Sequence, residues 1–292
     1  MIDQDFSQAV WTGSIRTEFC LADSDNTSLI VPPIFHALVS RISYLPVIAH
    51  EIGAVDCFRS FVVDVDSSNE IWFEYNGKPL KCNIPVGVLF DLFVPNGIDA
   101  WDICIRFGKF PSTEVLRCCT PETCRRYFKH SLKQSVSVLH GSVHKVADLE
   151  ISKQNNIWTS SCAGNLIEYE AVIQELRPVI PSKFIPVRVL LKGCTIIQRP
   201  VPSIVSSMAL EEIAATSKVN GNLREEGPGR ATSRAACIQD VLEICLSKQS
   251  EVTNHDIFIH GIRVLPSAPL WDVWRLMSHG DLFLYIVVVS LD

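Results

Sequence analysis

Residues 72–92 read WFEYNGKPLKCNIPVGVLFDL, and residues 258–274 read FIHGIRVLPSAPLWDVW. Each runs from an alternating strand through a glycine turn and a short extended piece into a short amphipathic helix. Asn76-Gly77 is the strongest short hairpin signal, because both residues tolerate the positive φ of a tight turn between twisted strands. Pro85 suits a first helical turn, since its missing N–H has no partner there in any case. The same local sentence, written twice in different residues, points to one structural unit used at both ends of the chain.

The neighbouring segments extend the pattern. Residues 4–12 form a short amphipathic helix with Phe6, Val10 and Trp11 on one side, and Gly13 ends it. SIRTEFCLA alternates apolar and polar residues and reads as a strand. An extended segment is expected at 38–44 and a helix at 46–60, followed by IWFEY, the Asn-Gly turn, the short helix VGVLFDLF and the strand WDICIRF. From residue 121 the spacing turns helical: Cys124, Tyr127, Phe128, Leu132 and Val136 share a face, Gly141 breaks it, and a second helical stretch splits near Gly164. FIPVRVLLKGCTIIQRP then reads as a hairpin across Lys192-Gly193, AACIQDVLEICL as a helix and LFLYIVVVSL as a last buried strand. Residues 206–234, polar and glycine-rich around GNLREEGPGR, are expected to be a disordered insertion.

Both halves therefore follow β-β-α-β-β-α-β, which short, right-handed connections fold as a ubiquitin-like β-grasp. The expected architecture is α+β: an N-terminal helix (1–12), a first ubiquitin-like domain (13–111), a helix-rich domain (112–180) and a second ubiquitin-like domain (181–292).

The chain has 292 residues, 47% hydrophobic and 20% charged, a globular balance that suits about two domains. A net charge of −6 argues against nucleic acid as the main partner. The local basic group Arg125, Arg126, Lys129, His130 and Lys133 reads first as a solvated helix face. No stretch has the 18 apolar residues of a membrane span, and the start MIDQDFSQAV lacks a signal-peptide core. The eleven cysteines, scattered through apolar runs with none at CxxC spacing, read as reduced core residues of a cytosolic protein.

Enzymatic readings are sparse. Cys118, Cys119 or Cys124 with His130, His140 or His144 would be the parts of a cysteine hydrolase. His140 and His144 stand four apart as metal ligands would on a helix, but without an HExxH pattern, and Gly141 interrupts them. GPGR at 227–230 lacks the ending of a phosphate-binding loop, and Asn26-Thr-Ser is a glycosylation sequon only in form. Asp91 and Asp272 read as caps or surface charges. No cofactor or metal is expected.

The chain resembles the autophagy protein 5 family. The resemblance is carried by VWTGSIRTEF (10–19), RISYLPV (41–47), EIWFEYNGKPLKCNIPVGVLFDL (70–92), WDICIRFGKFP (101–111), FIPVR (184–188), QRP (198–200) and IHGIRVLPSAPLWDVW (259–274). It implies a scaffold rather than an enzyme. One lysine of such a scaffold is joined to the C-terminal glycine of the ubiquitin-like autophagy protein 12. The scaffold also binds the coiled-coil autophagy protein 16 and recruits the conjugating enzyme that places autophagy protein 8 on phosphatidylethanolamine. The expected location is cytoplasmic, with peripheral contact at the preautophagosomal membrane. Trp11 matches the family's tryptophan in the segment that meets autophagy protein 16; its other reading is a core anchor.

The acceptor lysine departs from the family pattern. Animal members carry Lys-Glu-Ala…Leu-Lys-His; here Lys133-Gln134 and His140 match the ends, and Leu139 stands at the lysine. Plant and fungal members resemble Gly-x-x-Lys; here Gly141-Ser142-Val143-His144 places His144 there and Lys145 one residue on. Lys145 is the expected acceptor, ahead of Lys133, Lys129 and Lys153. The alternative is a partner held without a covalent bond.

Overall fold

The structure, a computed structural model, describes residues 2–62, 70–94, 97–191, 195–206, 233–246 and 255–290. Helix α1 (Ile2–Trp11) is followed by β1 (Ser14–Leu21), β2 (Phe35–Ser40), α2 (Leu45–Glu51), α3 (Ala54–Arg59), β3 (Ile71–Tyr75), β4 (Lys78–Pro79), α4 (Val86–Phe93) and β5 (Trp101–Phe107). The first sheet has the order β2-β1-β5-β3-β4, with β1 and β5 parallel and the other pairs antiparallel. The second sheet is built from β6 (Phe184–Leu191), β7 (Thr195–Pro202), β10 (His255–Ile259), β11 (Ile262–Arg263) and β12 (Leu284–Ser290). Its order is β11-β10-β12-β6-β7, with β6 and β12 parallel. Counted within each half, both sheets run second, first, fifth, third, fourth strand. The β-grasp is present twice.

The quoted stretches occupy the same place in each half. Asn76 and Gly77 have φ of 49° and 74°, and His260 and Gly261 have φ of 52° and 77°. Both turns thus hold two consecutive left-handed residues, the requirement of a two-residue hairpin of type I′. Each hairpin leads to a short helix, α4 in the first half and α10 (Leu270–Met277) in the second.

Three local expectations are refined. The helix expected at 46–60 is two helices, because Gly53 at φ 73° turns the chain out of α2 before α3 begins. The segment expected as a disordered insertion at 206–234 is strand-paired at its margins: β8 (Ile204–Ser206) runs antiparallel to β9 (Ser233–Ala235), with Ser206 opposite Ser233 and Val205 opposite Arg234. Residues 207–232, and the hairpin turn at 192–194, lie outside the described residues. Asp91 is neither cap nor surface charge but a buried member of α4, ion-paired to Arg41, while Asp272 lies exposed in the first turn of α10.

Between the sheets lie α5 (Pro121–His140), α6 (His144–Ala147), α7 (Ile151–Cys162) and α8 (Leu166–Ile173). A capping box of Thr120 and Thr123 starts α5, satisfying amides that have no partner inside the helix. Gly141, at φ 74°, ends it. In the second half α9 (Ile238–Leu246) comes between the first hairpin and the later strands of its sheet, as α2 and α3 do in the first.

All three parts share one continuous buried cluster. The loop Ser278–Leu282 carries much of the join. Ser135 donates to the Asp281 carbonyl at 2.6 Å and the Tyr169 hydroxyl donates to the Gly280 carbonyl at 3.1 Å. Gly280 has no room for a side chain, since a Cβ there would lie 1.9 Å from Ser161 Oγ. Buried Arg188 links β6 to this loop through Asp281 at 3.2 Å, binds Tyr285, and reaches Ser131 of α5 at 3.0 Å.

Candidate acceptor loop and docking surfaces

The chain leaves α5 at Gly141 and makes the single turn α6 before entering α7. That turn is pinned from below. Val146 and Leu149 are buried, and Gln154 donates to the carbonyls of Val146 at 3.1 Å and Leu149 at 2.9 Å. His144 and Lys145, immediately before these anchors, are exposed. A backbone tied to the helical domain presents a lysine whose side chain points into solvent.

The other lysines of the region differ. Lys153 pairs with Glu175 at 2.7 Å, and that carboxylate raises its pKa, which keeps the amine protonated. Lys129 donates to Asn155 at 3.3 Å. Lys133 is exposed on the face of α5. Attack on a thioester needs a neutral amine within reach. Lys145 and Lys133 meet the access requirement; Lys153 and Lys129 are held by neighbours.

Trp11 is 2% exposed and packs on Tyr169 of α8, ring centroids 4.3 Å apart. Its indole therefore acts as an anchor. Gly164 permits the approach, because a Cβ there would come within 3.2 Å of the Trp11 carbonyl. From this anchor α1 packs along α10, so the N-terminal helix touches the helical domain and the second β-grasp together. Asp5, Gln8 and Ala9 are left on its exposed side.

Two surface features flank these elements. Arg117, Thr123, Arg126, Tyr127 and His130 line a shallow basic cleft at the start of α5. Arg125 of the same basic group is turned away to bind Asn155. Along the free edge of the first sheet, Leu29, Ile30, Val31, Ile34 and Leu38 are exposed.

The residues of the hydrolase reading do not meet. Cys118 donates to Cys124 at 3.4 Å, Cys124 lies 3.4 Å from the Cys82 carbonyl, and Cys82 lies 3.8 Å from Cys119. All four are buried. The hydrogen bond to Cys118, with burial, pushes the Cys124 thiol up, away from the thiolate a nucleophile needs. His140 is bound to the Leu176 carbonyl at 2.8 Å, while His130 and His144 face solvent. Gly141 puts His140 and His144 on separate helices. Among the described residues no group of three or more His, Cys, Asp or Glu is arranged to hold a metal ion.

Arg41, which the sequence does not single out, is the hinge-pin of the two β-grasps. It pairs with buried Asp91 and donates to the Gly87 carbonyl at 3.2 Å. Its path is walled by glycines from three places: a Cβ would lie 2.9 Å from its side chain at Gly13, 2.7 Å at Gly87 and 2.8 Å at Gly261. The amide of Gly261, at the tip of the second hairpin, also reaches the Asp91 carboxylate. The hairpin turn of one β-grasp is thus docked on the short helix of the other. His260 of that turn stacks on His279, ring centroids 4.2 Å apart.

Comparison with known proteins matches three models of one family along the chain in order. They are the autophagy protein ATG5 UblA domain over residues 10–107, the alpha-helical bundle region over 121–179 and the UblB domain over 184–288. The chain belongs to the autophagy protein 5 family. Autophagy protein 5 of Penicillium rubens is 26% identical over 96% of this chain and 95% of that one. Autophagy protein 5 of Oryza sativa subsp. indica is 31% identical over 59% of this chain, and the match spans only 44% of the rice protein's length. The crystal structure of Kluyveromyces marxianus Atg5 superposes with a TM-score of 0.76 at 22% identity, covering 97% of this family member and 99% of that chain. That likeness carries the fold: two ubiquitin-like domains flanking a helical one.

Proposed function

We propose that this member of the autophagy protein 5 family is a non-catalytic scaffold of autophagosome formation. It becomes joined through Lys145 to autophagy protein 12 and binds autophagy protein 16. The complex then promotes transfer of autophagy protein 8 to phosphatidylethanolamine. It works in the cytoplasm and meets the preautophagosomal membrane peripherally. The observation that supports the acceptor role is the exposed Lys145 on a turn fixed by Val146, Leu149 and Gln154. The chemistry asks nothing more of the scaffold. The Lys145 amine attacks the thioester carbonyl at the partner's C-terminal glycine, an amide forms, the enzyme's thiolate leaves, and the amine gives up one proton.

The test is reconstitution with autophagy protein 12 and its activating and conjugating enzymes, read by denaturing gel and peptide mass spectrometry. A glycine branch on Lys145 is expected, and Lys145→Arg is expected to abolish the covalent band. A branch on Lys133 would keep the function and move the site. Noncovalent capture of autophagy protein 12 is the second reading. Leu139, at the position where animal relatives carry lysine, favours it. Its signature is a complex that survives native purification with no covalent band.

A further inference from the structure

On the outer face of the first sheet, Cys20 of β1 and Cys104 of β5 stand directly opposite in the parallel ladder, their sulfurs 3.2 Å apart. They are 84 positions apart in the chain. Both are half-buried, so a small reagent reaches them. The pairs Cys118–Cys124 and Cys82–Cys119 are nearly as close but buried between the first sheet and α5, where solvent reagents do not arrive. We propose that Cys20 and Cys104 are a peroxide-oxidised dithiol, closing to a reversible disulfide across β1 and β5.

The backbone already provides the approach. Cα atoms on adjacent strands lie about 5 Å apart, inside the range a disulfide spans. The surroundings favour reaction at Cys104: the hydrogen bond from Cys20 outweighs burial and the nearby Glu74 carboxylate and holds its pKa below the ordinary thiol value. The Cys104 thiolate displaces hydroxide from the peroxide O–O bond and becomes a sulfenic acid. The Cys20 sulfur then attacks the Cys104 sulfur, the S–O bond breaks and water leaves. In sum two thiols and one hydrogen peroxide give one disulfide and two waters. The two electrons lost by the sulfurs reduce the peroxide. A disulfide between strand neighbours that is also accessible belongs to the class that reductants reopen.

The experiment treats the full chain with a small excess of hydrogen peroxide, alkylates with N-ethylmaleimide at intervals and maps unreduced peptides by mass spectrometry. The expected product is a Cys20–Cys104 linked peptide, forming about tenfold faster than free Cys57 is lost and reopened by dithiothreitol. In Cys20→Ser the link is absent and dimedone traps a sulfenic acid on Cys104. Full alkylation of both residues after Cys57 has been consumed overturns the proposal. So does a link from either residue to any other cysteine.

Discussion

Arg41 lies in a channel made of absent side chains. Gly13, Gly87 and Gly261 come from distant points of the chain, and each leaves space where a Cβ would meet the arginine. The two hairpin glycines offer a controlled comparison. Gly77 and Gly261 share a left-handed φ, but nothing lies within 4 Å of a Cβ at Gly77. Gly77→Ala is expected to cost only the left-handed backbone term, about 1–2 kcal/mol. Gly261→Ala must also displace a guanidinium that is ion-paired on its far side, and is expected to lose at least about 1 kcal/mol more. Urea midpoints of the two variants decide this, and equal losses would remove Arg41 from its role. Trp11 and Lys145 illustrate residue identity without context. The sequence placed a tryptophan at the family's position, and only its ring contact with Tyr169 assigns it to anchoring.

At the scale of elements, α1 is a strap across two domains, held by Trp11 and Val10 in the core with Phe6 packed against it. Truncating a buried tryptophan removes about 3–5 kcal/mol of packing. Trp11→Ala is therefore expected to raise amide hydrogen exchange along α1 while leaving both sheets protected. It should also weaken autophagy protein 16 binding; unchanged affinity in a folded variant would separate that partner from α1. Helix starts and stops were legible because they are local. Pro121 and Gly141 bound α5, and Pro85 opens α4, through backbone chemistry that acts within one turn. The break at Gly53 was missed because the apolar spacing continues through it and a lone glycine is tolerated within a helix. The β8–β9 ladder leaves no signal in the sequence because its strands are three residues each and pair across a long polar segment.

For the whole molecule, the buried cluster runs through both β-grasps and the helical domain, so thermal unfolding is expected as one transition, with calorimetric and van't Hoff enthalpies agreeing. Two resolved transitions would mean that the domains are only loosely joined. Their junction also carries a pH dependence. Burial, with help from Arg41, lowers the His260 pKa to about 4, and burial beside His260, Arg41 and Arg188 lowers that of His279 well below the ordinary imidazole value. Both are neutral in the fold, while the unfolded chain takes up these protons below about pH 6.5. The unfolded state then binds more protons, so stability falls as pH drops from about 6.5 toward 4, by on the order of 3 kcal/mol for His260. Asp91 and Asp281, whose pKa values burial raises, act in the opposite sense. The His260 loss falls between its unfolded value of about 6.5 and its folded value of about 4. Urea midpoints at pH 7.5 and 5.5 measure it, and equal midpoints would mean that water reaches the histidines.

The two β-grasps, their order around a helical block, the family and the short list of lysines are legible in the residues alone. Alternation, turn glycines and helix caps act over a few residues, so they are written where they operate. The tertiary structure alone decided that Trp11 is an anchor, that Asp91 is the buried partner of Arg41, that Cys20 faces Cys104, and that the second hairpin docks on the first domain. Those outcomes depend on residues tens to hundreds of positions apart filling one volume, and close packing records itself in which side chains are missing as much as in which are present.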